Sequence, residues 1–304
     1  MRVTHQQTTA MILGSMNRNG SAMARLHEQL SNGLRIQRPS DDPVASVRLL
    51  RLQREEAALG QYGKNIDNLS SSLAGQESGL RSASSAMLNA RDLVLWASNG
   101  THSAEDLRAM ATELKGLEGT LVGLFNSRDE EGRYRYSGTQ SDRPALVFDA
   151  ATGRYDFGGN DQHRQVAVAN GVMVDENITL HDVLGADPDL LNELHELVAM
   201  LEDPALDPKD PAVLAKLTGL LGLVDSAHST TLGSVTDLGG RQNNLTLVGE
   251  GNEDASIVNQ TLENQLKSLD MASAMLALNM HEVSMGSTQK TYLKINSLSL
   301  FNLM

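Results

Sequence analysis

The chain contains no cysteine, which excludes disulfide staples, thiolate nucleophiles and cysteine-ligated zinc together. Aromatics are almost as scarce, 3% of 304 residues with one tryptophan, so a core anchored on large rings is not available. No window reaches the roughly 18 consecutive apolar residues that a membrane span needs. The opening MRVTHQQTTAMILGSMNRNG has no apolar core between a basic start and a small-residue cleavage site, so no cleaved signal peptide is expected. Clustered positive charge is missing too. The formal net charge is -13 and the basic residues are scattered, which argues against nucleic acid as a partner.

Catalytic patterns are equally thin. His281-Glu282 and His195-Glu196 each lack the second histidine at the i+4 spacing of a zinc helix, and both are expected on solvated faces. The run Asp129, Glu130, Glu131 before Gly132 reads as a solvated turn. FGGND around Gly158 lacks the Lys-Ser or Lys-Thr of a phosphate loop, and no GxSxG elbow occurs. Neither enzyme nor cofactor is expected.

What is present is leucine, methionine, alanine and valine at helical spacing. Leu59, Tyr62, Ile66, Leu69, Leu73, Gln76, Leu80, Ala83, Met87, Ala90 and Val94 alternate steps of three and four, a heptad seam. A second seam runs from Leu107 to Leu124 after the breaker-rich SNGTHSAED around Gly100; the two form either one interrupted rod or a hairpin. The C-terminal half repeats the pattern through Leu190–Leu201, Val213–Ala227 and Leu262–Val283. The last of these carries a second stripe, Met271, Met275 and Leu278, and so needs cover on more than one side. Ile12, Met16, Met23, Leu26 and Leu30 keep the same phase near the N-terminus, in a glycine-containing helix that is marginal by itself.

Between the halves the texture changes to short alternating runs such as Val166 and Val168, with turn signals at Thr152-Gly153 and around Gly158. The fold class is therefore mainly α: a long antiparallel helical bundle or coiled-coil rod from both halves, with a small β-rich insertion. We expect terminal helices over 1–42 and 265–304, a helical rod over 43–132 and 187–264, and the β insertion over 133–186.

The joint near the N-terminus is sharply specified. Gly33 suits a left-handed helix stop, Pro39 forces its predecessor out of helical geometry, and Ser40, Asp41 or Asp42 can cap a helix with Pro43 at its first position. Leu34 and Ile36 stay apolar inside it, so the joint itself is expected to pack against something.

LHEQLSNGLRIQRPSDDPVAS, Leu26 to Ser46, resembles the N-terminal signature of the flagellin family, and its proline-containing SDDP form resembles the branch that joins hook to filament. LALNMHEVSMGSTQKTYLKINSLSLFNLM resembles the family's terminal helix, with Ile295 to Leu300 in place of its closing ISxLSL-like run. YRYSGTQSDRPAL resembles the start of that branch's small β domain. The resemblance implies a structural component of the bacterial flagellum, at the hook–filament junction, exported by the type III route to the cell exterior. Implied partners are copies of itself in a ring, other hook-associated proteins, flagellin and a cytosolic export chaperone. It further implies chain ends disordered in the monomer and ordered on assembly. With the apolar seams, this singles out Met16, Met23, Leu26, Leu30, Leu34, Ile36, Met280, Val283, Ile295 and Leu298 as assembly contacts, and Gly33, Pro39, Asp41, Asp42 and Pro43 as the helix joint. A filament flagellin would share these ends. A helical signalling or sensor module would instead have ordered ends and no export.

Overall fold

The computed structural model describes residues 5–99 and 102–301. Its elements are α1 (His5–Asn32), α2 (Pro43–Ala97), α3 (Ala104–Phe125), β1 (Leu146–Asp149), β2 (Arg154–Phe157), β3 (Gln165–Ala169), β4 (Val172–Asp175), α4 (Leu180–Leu184), α5 (Asp189–Glu202), α6 (Pro211–Lys267) and α7 (Met271–Phe301). The fold is mainly α, with helices from both halves of the chain packed antiparallel and a small β-rich insertion between them.

Two compact units emerge: one from the chain ends as far as Ala58 and from Asp254 onward, the other from Leu59–Glu253. This differs from the expected boundaries at 42/43 and 264/265, which follow the joint. The reason is that the first turns of α2 pack on the end of α6. Gln53 donates to Glu263 (3.3 Å), and Ser256 and Gln260 both donate to Glu56 Oε1 (2.6 and 2.8 Å). The segment 133–186 is likewise not a compact unit of its own, because its strands share a core with the helices around them.

Within the larger unit α2 and α6 run antiparallel. Arg91 pairs with Asp225 (2.6 Å), Thr231 faces Met87, and Gln242 donates to Glu77 (3.0 Å), each step back along α2 being a step forward along α6. The choice between rod and hairpin is decided here, although Gly100 lies outside the described residues. Tyr136 meets Phe125, the last residue of α3, edge-on at 6.4 Å between ring centroids, and donates its hydroxyl proton to the Gln76 carbonyl (3.0 Å). The end of α3 thus lies level with the middle of α2, so α3 folds back along it. On α3 lies α5, antiparallel again, through Lys115–Glu202 (2.9 Å) and His195–Glu118 (2.9 Å).

The heptad leucines supply the core: Leu73, Leu80, Leu114, Leu197 and Leu220 are fully buried. Two polar side chains tie the β segment to this helical wall. Gln76 donates to the Glu176 carbonyl (2.9 Å) and accepts from the Ile178 amide (2.9 Å), while Asn65 donates to the Ala167 carbonyl (2.7 Å). At Gly79 the approach is close enough to require glycine. A Cβ on Gly79 would lie 2.5 Å from the Tyr136 hydroxyl, and one on Gly75 would run into Arg135. The strands form two separate antiparallel hairpins, β1–β2 turning at Gly153 and β3–β4 at Gly171, both at positive φ.

Candidate assembly interface

The unit formed by the chain ends is assembled around the joint. Helix α1 stops at Asn32, where Gly33 takes φ +69° and donates to the Gln29 carbonyl (2.8 Å). The chain then runs beside the α6–α7 connection: Arg35 donates to the Lys267 carbonyl (2.7 Å) and Leu269 to that of Gly33 (3.0 Å), with Leu34 bridging Ser268. Pro39 lies in the following turn, whose Gln37 and Arg38 amides are held by the Asp41 carboxylate (3.2 and 3.0 Å). Of the three candidate caps it is Asp42 that closes α2, accepting from the Ala45 amide (3.0 Å) and pairing with Arg35 (3.0 Å), with Pro43 as the first helical residue.

Both carboxyls sit below their ordinary range: Asp41 because the Arg38 and Gln37 amides donate to it, Asp42 because of the Ala45 amide and then Arg35. A folded value below the unfolded one stabilises above the unfolded value, about 3.9, and that stabilisation is lost as pH falls through the folded values. In the assembled protein, below about pH 4, the amide protection factors of Gln37, Arg38 and Ala45 should therefore fall faster than those of α3. Parallel loss in both places would show that these carboxylates do not hold the joint.

Helices α1 and α7 pack antiparallel. Asn19 donates to Ser284 (3.1 Å) and its amide oxygen lies 3.1 Å from His281 Nδ1, while Gly20 admits the Met285 methyl at 3.7 Å from where its Cβ would stand. Ala274 and Leu278 are the α7 residues buried here. Met16, Met23, Leu26 and Leu30 are only half-buried, as are Ile36 and Ile295. A single pair of helices has no third partner to close its seam, in contrast to the fully buried leucines of the larger unit.

The opposite face of α7 is apolar and open. Met280 is 66% exposed and Val283 73%, and Met271, Met275, Leu276 and Leu293 are exposed with them. Leu34 is 37% exposed, and the side chain of Leu298 lies outside the described residues. Met275 and Leu276 belong to stripes visible in the sequence. Met11 and Leu13, also exposed, stand outside the heptad phase of α1, and that phase gave no reason to single them out.

Two histidines expected on solvated faces are instead engaged. His281 faces Asn19 across α1 and α7, and His195 lies against the buried Glu118 carboxylate with Phe148 and Tyr155 around its ring. The partners are distant in sequence, so i+4 spacing could not reveal them. The acidic run is also structural in part, since Asp129 accepts from the Glu131 and Arg133 amides (3.0 and 2.8 Å). Among the described residues no group of three or more histidine or acidic side chains could hold a metal ion, and no helix is long and apolar enough to cross a membrane.

Paired terminal helices with one open apolar face are the pattern of the class of protein to which comparisons with known proteins assign it: the chain belongs to the bacterial flagellin family. The model of the bacterial flagellin N-terminal helical region matches residues 3–141. The flagellar hook-associated protein structure from Vibrio parahaemolyticus is 36% identical, with a TM-score of 0.68 over 75% of this chain and 100% of that one. Flagellar hook-associated protein 3 of Salmonella typhimurium is 26% identical across 100% of this chain and 99% of its own length. The hook-associated protein 3 structure from Legionella pneumophila, 16% identical, shares the fold at a TM-score of 0.65 over 71% of this chain and 98% of that one. It is with these flagellar hook-associated proteins that the chain groups.

Proposed function

We propose that the chain is the subunit joining hook to filament. Copies form a ring through their terminal helices, one side of which meets other hook-associated proteins and the other flagellin. The observation that carries this reading is the open face of α7 beside a half-buried α1 seam. Ordering a terminal segment costs about 1–2 kcal/mol per residue in backbone entropy, and two helices that leave their apolar surface in water recover little of it. Contact with neighbouring subunits supplies the missing burial, so ordering of the ends is coupled to assembly, and in the monomer they are disordered. The same property suits export as an unfolded chain by the type III route, with a cytosolic chaperone covering the apolar C-terminal helix beforehand. The role is mechanical rather than enzymatic, in line with relatives that are structural proteins of the flagellum.

Deletion of the gene, followed by electron microscopy and assay of flagellin in the medium, tests this directly. Bare hooks with flagellin shed to the medium are expected. Normal filaments would overturn the reading, and bare hooks with no flagellin other than this chain missing would make it the filament subunit.

A further inference from the structure

Two outward helix faces outside the α1–α7 pair carry opposite charge on an apolar ground. On the first turns of α2, Val44 and Val47 are 82% and 68% exposed, and Leu50 is exposed with them. Arg48, Arg51 and Arg54 share that face, in steps of three, with Glu55 the one carboxylate among them, and all four are exposed. On α6, Ile257 and Val258 are exposed at 56% and 57%, on the face that also presents Glu250, Glu253 and Asp254. Among the described residues no ion pair or hydrogen bond engages any of these arginine or carboxylate side chains. The facing sides of the two helices are already used, through Gln53–Glu263 and Glu56 with Ser256 and Gln260, so the charged faces point away from one another.

We infer that the basic face of α2 in one copy docks on the acidic face of α6 in the next. Three cations and three anions at helical spacing, each beside exposed branched aliphatics, match in charge and in ground, whereas either face against itself would oppose like charges. Two different faces on opposite sides make the contact head-to-tail, which propagates around a ring instead of stopping at a dimer. Within the chain these residues serve no packing purpose, so the charges cost the monomer nothing and act when copies meet.

The inference rests on the reading that copies of this chain assemble at the junction. It is tested in cells lacking the native gene and supplied with R48E/R51E, E253K/D254K or the fourfold combination. Each pair alone should lower the number of attached filaments at least tenfold, and the combination should return it to within twofold of the parent. Because the chain has no native cysteine, V47C/I257C in otherwise unaltered protein gives a second readout: oxidation of intact flagella should produce a ladder of multimers, and V47C alone none. Tolerance of either reversed pair, a fourfold variant no better than the pairs, or dimers from V47C alone overturns the contact. If gene deletion strips filaments but charge reversal does not, this contact alone fails; if filaments survive deletion, the underlying reading fails.

Discussion

Replacing Met280 and Val283 together by glutamate should leave cells with bare hooks while the purified protein unfolds in urea as the parent does. Both side chains stand in water, 66% and 73% exposed, on the α7 face turned away from α1, so the monomer loses no burial when they change. Assembly is different. On the proposed interface each copy would bring two carboxylates to a surface that assembly dries, and an unpaired buried charge costs several kcal/mol even after relaxation. The forfeited apolar burial, at about 25 cal/mol per Å², adds to that. The same penalty recurs at every copy of the proposed ring, so attached filaments counted by electron microscopy should fall by more than tenfold. Met280→Leu with Val283→Ile keeps the chemistry and should keep the filaments. Full attachment in the double glutamate variant would remove the outer face of α7 from the interface.

Gln76→Ala should lower the stability of the larger unit to urea by about 3–6 kcal/mol. Gln76 is 1% exposed on α2, and its amide group satisfies two backbone partners in the β segment. Truncation orphans the Ile178 amide and the Glu176 carbonyl, at about 1–3 kcal/mol each, and leaves a cavity at a buried position in addition. Glutamate at this position keeps the acceptor for Ile178 but loses the donor for Glu176 and sets a buried carboxylate against that carbonyl, so Gln76→Glu should cost at least as much as the alanine variant. A cost below about 1 kcal/mol for Gln76→Ala would mean that water or a rearranged backbone replaces both bonds.

The helices were legible because their apolar residues recur every three or four positions over many turns, and Leu59 to Val94 could hardly serve another fold. The joint was legible for a different reason. Gly33, Pro39 and Pro43 each restrict the backbone locally, whatever lies around them. Gln76 shows the limit: it kept the phase of the seam and so passed as one more packing position, while its partners lie 100 and 102 residues further on. His195 and His281 escaped in the same way, since neither Glu118 nor Asn19 is near them in sequence.

The sequence by itself determined the helical class, the small β insertion, the joint, the absence of thiol chemistry and the membership in the flagellin family. All of these depend on residues close together in the chain or on composition. Tertiary structure alone decided that α3 folds back on α2, that Asp42 and not its neighbours caps, and that the unit boundary falls inside α2 and α6. It also separated the face of α7 that α1 covers from the face left open. Periodicity tells how wide an apolar stripe is, but which part of it meets water depends on how many helices surround it, and that number is a property of the packed chain.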